Sequence, residues 1–208
     1  MTIHIQGEHG MSYIQITTRM MEQFGVHAAP QYYCAGSGNN HHCPGCVNST
    51  RPMGYLVAAG QNYRALDYRI EPDVSAACYF YAMGALLGVP VQVMQIYRES
   101  MQGDIAFLDI LARMGCTLQE DADGLLLLPP ANGRLAGVKA DMSACSDQAI
   151  TLAAIAPYAD TPTTITGIGH IRFQECDRIA AICTELGKMG IRCEERESSI
   201  TVYPGAPK

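Results

Sequence analysis

The 208-residue sequence is 48% apolar and 16% charged, with a net charge of −6 and a pI near 5.4. That balance excludes a disordered chain, leaves room for one good-sized core or two or three smaller ones, and argues against nucleic acid or an anionic membrane as the main partner, since both want a basic face. No apolar run approaches the roughly 20 residues that span a bilayer, and the opening "MTIHIQGEHG" has neither the basic nor the apolar region of a signal peptide, so a cytoplasmic protein is expected.

In chain order, the pattern predicts a strand at Thr2 to Gln6 and a helix at Tyr13 to Phe24 that ends at Gly25. Between Val26 and Tyr55 the rhythm breaks. Pro30, Pro44, several glycines and little periodicity read as a loop insertion, placed at about 27–54. Within it Cys43 and Cys46 form a C-x-x-C knuckle with Pro44 and Gly45 at its turn, and Cys34, His41 and His42 lie close by. Cys34, His41, Cys43 and Cys46 could therefore bind a structural zinc; the alternative is a surface loop whose thiols do nothing. Five of the nine cysteines, Cys78, Cys116, Cys145, Cys176 and Cys183, sit in segments that read as helix or strand, as reduced thiols do.

Two longer units follow. The first reads strand Tyr68 to Ile70, helix Ser75 to Leu87, strand Val91 to Tyr97, a helix opened by Gly103 and Asp104, then strands Thr117 to Glu120 and Leu125 to Leu128. The second reads strand Gly137 to Asp141, helix Cys145 to Tyr158, strand Thr163 to Ile168, a helix carrying Ile179, Ile182, Leu186 and Met189, then strands Arg192 to Glu195 and Ile200 to Tyr203. They are related by a constant offset of 75: Met114-Gly115 matches Met189-Gly190, Glu120 matches Glu195 and Pro129 matches Pro204. The expected fold is α/β, two complete βαβαββ units (67–130 and 131–208) preceded by a partial one (1–66).

Charge gathers at predicted helix starts. Arg172, Glu175, Asp177 and Arg178 fall within seven residues of one another, where unpaired N–H groups and the helix dipole already favour an anion. Glu175 and Arg178, three apart, face the same way, so the carboxylate can orient the guanidinium or act as an acid or base. Asp147, Asp73 and Asp104 open other apolar helices, with Ser143 or Ser146 available to cap the helix of Asp147. Together these starts suggest a polar surface at one end of the layers. The plainer alternative is a set of solvated helix starts with an internal ion pair.

The segments "EPDVSAACYF", "SMQGDI", "SDQAITLAAIAPYAD" and "HIRFQECDRI", in this order and spacing, resemble the 5-enolpyruvylshikimate-3-phosphate synthase family over nearly the whole chain outside the Cys-rich insertion. The resemblance implies βαβαββ units of the enolpyruvyl transferase type. It also implies transfer of the enolpyruvyl group of phosphoenolpyruvate to the 5-hydroxyl of shikimate 3-phosphate, a step of aromatic amino acid biosynthesis, with no metal or organic cofactor. Asp147 falls at the general base that binds the shikimate hydroxyls, Glu175 at the second acid–base carboxylate, and Arg178 at an arginine that clamps phosphoenolpyruvate, with Arg172 as a helper. Tyr13 falls at a phosphosugar contact and His170 at a pocket-lining position.

There are departures. Gln174 stands where the family usually has a lysine that bridges both substrates, and Gly10 where a phosphate-binding serine is expected. The family's N-terminal Lys and Arg, its "SSQ" stretch and its late "DHR" and Lys-containing segments have no counterpart, so the pocket is expected to be incomplete unless another chain supplies the rest. The rival expectations are a non-catalytic or zinc-binding interaction module, and a related enzyme acting on a UDP-sugar or on RNA ends, which "SDQAITLAA" with "ECDRI" disfavours.

Overall fold

The computed structural model describes residues 1–5, 11–32 and 52–208. The chain divides into two compact units, Met1–Arg69 and Ile70–Lys208.

In the first unit the strands β1 (Thr2–His4), β2 (Ala28–Gln31) and β3 (Gly54–Val57) form an antiparallel sheet in the order β1-β3-β2, with helix α1 (Met11–Gln23) between β1 and β2 in sequence. One of these strands, β2, lies inside the stretch expected to be loop, and β3 begins at its last residue, Gly54. Pro30 hid β2, yet β2 is an edge strand, where a missing N–H costs no ladder bond, and Pro30 sits opposite Tyr55 in the register. Val26, Ala28 and Tyr55 are buried beneath the hairpin. Gln61 closes its base by accepting from His27 N at 2.7 Å and donating to His27 O at 3.0 Å.

The second unit follows the repeat. Helix α2 (Val74–Leu87), strand β4 (Val91–Met94), helix α3 (Ala106–Arg113) and strands β5 (Thr117–Glu120) and β6 (Gly124–Leu128) come first. Strand β7 (Lys139–Asp141), helix α4 (Ala149–Ile155), strand β8 (Thr163–Thr166), helix α5 (Arg178–Lys188) and strands β9 (Cys193–Arg196) and β10 (Ser199–Val202) complete it. The sheets run β4-β6-β5 and β7-β8-β10-β9, so the last three strands of each copy are arranged alike, all antiparallel. Met114-Gly115 and Met189-Gly190 end α3 and α5 as the repeat implied, with both glycines at positive φ (109° and 78°), which β-carbon-bearing residues rarely adopt.

One strand of the expected pattern is absent. In the second copy β7 pairs in parallel with β8 because Ala140 points inward and is fully buried. At Tyr68 to Ile70 no side chain is buried, Ile70 is 80% exposed, and no ladder forms. The boundary between the two compact units falls here, at Arg69 and Ile70. Residues 70–130 and 131–208 share one core: Tyr81, Phe107, Leu111 and Leu127 of the first copy and Leu152, Ile165, Ile179 and Ile200 of the second belong to a single buried cluster. Tyr81 joins helix to sheet within it, donating its hydroxyl to Leu125 O at 2.8 Å. Each such side chain contributes about 1.5–3 kcal/mol relative to exposure. Among the described residues no helix is long and apolar enough to cross a membrane.

Candidate functional site

The last two apolar residues of the β8 segment, Ile165 and Ile168, are fully buried, and Gly167 between them turns the chain out of the sheet at φ +75°. A 3-10 turn (Gly169–Phe173) follows, and then α5, whose N-cap is Asp177 accepting from Ala180 N at 3.0 Å. That bond holds the Asp177 carboxyl below the usual range, with help from Arg172. Arg172 is fully engaged: it grips Asp177 in a two-oxygen fork at 2.9 and 2.7 Å and donates to the carbonyls of Glu197 at 3.0 Å and Arg196 at 2.7 Å. The arginine expected to help hold an anion is instead the brace that fixes the start of α5 against the β9–β10 turn.

Arg178, the first residue of α5, does what the spacing proposed and more. Its guanidinium binds Glu175 on one side and Asp147 Oδ1 on the other, the latter at 2.9 Å. Asp147 lies in a second 3-10 turn (Ser146–Gln148) that leads into α4. The helix expected from Cys145 to Tyr158 is thus a composite, a 3-10 turn, α4 and a final 3-10 turn, and neither Ser143 nor Ser146 caps it. Ser146 is used elsewhere: its hydroxyl pairs with His170 Nε2 at 2.9 Å, tying this turn to the one that precedes α5. Asp147, Glu175, Arg178 and His170 are therefore brought together from two segments by one ion-pair bridge and one hydrogen bond. Their exposures differ usefully. The Arg178 side chain is 18% exposed, that of Asp147 37% and that of Glu175 76%. The Arg178 hydrogen bond holds the Glu175 carboxyl below its ordinary range, and despite partial burial the two carboxylates raise the guanidinium further above its own.

Gln174 follows the 3-10 turn and is exposed, one residue before Glu175. Tyr13 lies on α1, half exposed, in the first unit. Cys34, His41, Cys43 and Cys46, the zinc ligands expected in the insertion, and Gly10 lie outside the described residues. Among the described residues no group of three or more His, Cys, Asp and Glu is placed to hold a metal ion.

A second polar cluster is buried and not at the surface. Asp104, expected at a polar surface, is 6% exposed and accepts from Ser75 Oγ at 2.5 Å and from Gln148 Nε2 at 3.0 Å. Thr151 donates to the other end of the Gln148 amide at 3.0 Å. Gln148 follows Asp147, so the buried carboxylate locks the turn that carries the candidate base onto α2 and the start of α3. Asp73, by contrast, caps α2 from an exposed position as expected, accepting from Ala76 N at 3.0 Å.

A cavity of about 310 Å³ adjoins Arg178 between α4 and α5, lined mainly by Ile150, Ala153, Ile182 and Leu186. Such walls cannot replace the hydration of a phosphate, so an anion belongs on the polar side of Arg178, with Asp147 and Glu175.

The profile of the family described as EPSP synthase (3-phosphoshikimate 1-carboxyvinyltransferase) matches residues 2–208. The chain belongs to the EPSP synthase family. Among its relatives, the 3-phosphoshikimate 1-carboxyvinyltransferase of Nostoc punctiforme is 38% identical over 94% of this chain and 41% of its own length. The 3-phosphoshikimate 1-carboxyvinyltransferase 2 of Halalkalibacterium halodurans is 35% identical over 100% of the chain and 42% of its own. EPSP synthase of Acinetobacter baumannii superposes with a TM-score of 0.63 at 20% identity, over 88% of this chain and 43% of that one. The enolpyruvyl transferase NikO of Streptomyces tendae superposes at 0.59 with 18% identity. The two structures speak for the enolpyruvyl transferase fold, and the sequence relatives for the family. The chain spans about two fifths of the length of these EPSP synthases.

Proposed function

We propose that this chain forms one wall of an EPSP synthase active site, which transfers the enolpyruvyl group of phosphoenolpyruvate to the 5-hydroxyl of shikimate 3-phosphate. What carries the reading is Arg178, one guanidinium held between two carboxylates of unequal exposure. Asp147, fixed from below by the Gln148–Asp104 bond, takes the proton of the attacking hydroxyl as its oxygen bonds to C2 of phosphoenolpyruvate while C3 gains a proton. The resulting tetrahedral adduct breaks its C2–O bond to phosphate and returns a proton from C3, leaving the enol ether and free phosphate. Glu175 carries the C3 proton in both directions. With Arg178 on it, Glu175 is a poor acid. The carboxylate of phosphoenolpyruvate competes for that guanidinium, and Glu175, once released, is no longer held below its ordinary range and becomes a better proton donor than the paired carboxylate. His170, Gln174 and Tyr13 are assigned to substrate binding, and the reaction calls for no metal or organic cofactor.

The two substrates bring about four to five negative charges into one cleft, which needs several cations close by. The lysines are Lys139, Lys188 and Lys208, none in a family motif, and Arg172 is committed elsewhere. We infer that a complementary polypeptide supplies the remaining cations. The outward face of α2 supports this: a helix apolar all round is ordinarily buried, yet Tyr79, Phe80, Met83 and Leu87 are exposed. A non-catalytic interaction module is the second reading, and the same apolar face favours it. Free thiols at all six described cysteines fit a cytoplasmic, reducing setting. Phosphate release requiring both substrates, from this chain mixed with the complementary part of a relative, tests the assignment; its absence with every complement would favour the module.

A further inference from the structure

A helix packed on a sheet ordinarily turns an apolar stripe toward it. In the first unit α1 has no buried residue, and beside β2 and β3 it turns a polar one: Gln15, Thr18, Arg19 and Glu22, spaced i, i+3, i+4 and i+7, share one face. That face lines a cavity of about 290 Å³ lying wholly within Met1–Arg69. Much of the remaining lining is ring and methyl: Tyr55, Ala28 and Pro52, all buried, with Pro30 and Tyr32. Among the described residues Arg19 makes no ion pair. Glu22, three residues on, stands 3.6 Å from His27 Nδ1, both side chains largely exposed, so its carboxylate keeps lone pairs for a further donor.

We propose that this groove binds a free aromatic α-amino acid, its carboxylate on Arg19, its ammonium on Glu22 and its ring against Tyr55, Tyr32 and the two prolines. Side chains three apart on a helix have β-carbons about 5–6 Å apart, so one cation and one carboxylate there match the two adjacent charges of a zwitterion. A guanidinium grips a carboxylate through two parallel N–H bonds. Tyrosine and proline rings offer flat apolar faces against which an aromatic ring packs. A phosphate monoester fits less well, since Glu22 on the same stripe repels a dianion. The volume lies at the small end of small-molecule sites, as a single amino acid requires. Both charges meet water, so binding of roughly millimolar strength is expected.

The test needs no enzymatic activity and so stands apart from the transferase reading. L-Phenylalanine is titrated into the whole chain, and binding is followed by backbone amide NMR shifts. The expected result is saturable binding with the shifts gathered at Thr18, Arg19, Ala28 and Tyr55. Arg19→Gln should weaken it about tenfold or more, and so should removing either charge from the ligand, as in 3-phenylpropionate or phenethylamine. The ligand analogues make the same point without altering the protein. L-Alanine, which lacks the ring, should not saturate. No saturation by about 10 mM L-phenylalanine, shifts gathered outside the groove, L-alanine binding as tightly as L-phenylalanine, or unchanged affinity in Arg19→Gln would overturn the proposal.

Discussion

Arg178 Nη1 stands 2.9 Å from Asp147 Oδ1, joining the first residue of α5 to a turn 31 residues earlier. The same guanidinium also binds Glu175, so neither carboxylate can be understood without it.

Replacing Arg178 with Gln should let the Glu175 carboxyl rise toward its ordinary value of about 4.3, because the largest influence holding it down is the Arg178 hydrogen bond. A side-chain carboxyl NMR titration reads this directly. An unchanged Glu175 titration would mean that the ion pair does not form in solution.

The pH dependence has a definite sign. Asp177 and Glu175 both have lowered pKa values in the folded chain, the first mainly through Ala180 N and the second through Arg178. Their stabilising effect is present above the unfolded values of about 3.9 and 4.3 and is lost as pH falls through the lower folded ones. Urea midpoints should therefore hold steady from about pH 7 to 5 and fall below about pH 4. Asp177→Asn should make that decline shallower, and equal slopes would argue against the cap.

Asp104→Ala should destabilise the second unit by about 1–3 kcal/mol, because it leaves the Ser75 hydroxyl and the Gln148 amide buried without their acceptor. Asp104→Asn should cost less. Urea unfolding measures both, and an Asp104→Ala variant as stable as the parent would show that water replaces the carboxylate.

Gly167→Ala should cost about 1–3 kcal/mol for a side chain at φ +75°. The added methyl also runs into the Asp141 carboxylate. Gly187, in α5 with nothing near its β-carbon position, should tolerate Ala and serves as the control.

Much of this was legible in the sequence because the repeat constrains it. Met114-Gly115 and Met189-Gly190 mark equivalent helix ends, and the strand pairs after them form equivalent hairpins. Asp147, Glu175 and Arg178 were legible through family motifs; Glu175 does pair with Arg178, but from ahead of the Asp177 cap and not from the same helix face that the spacing implied. What failed depended on neighbours that periodicity does not record. Pro30 reads as a breaker unless its strand is known to lie at an edge. Asp104 reads as a surface residue until Ser75 and Gln148 are seen around it. Arg172 reads as a free cation until Asp177 and two carbonyls claim it. Tyr68 to Ile70 reads as a strand, but no inward side chain anchors it.

The most direct test is phosphate release from phosphoenolpyruvate in the presence of shikimate 3-phosphate, measured for the chain alone and with a complementary polypeptide, each with and without Asp147→Asn. The account predicts no measurable turnover by the chain alone. It predicts turnover in the complemented protein that falls by roughly 10²–10⁴-fold on loss of the base. Turnover by the lone chain that requires both substrates and vanishes in Asp147→Asn, or complemented turnover indifferent to that substitution, would contradict it.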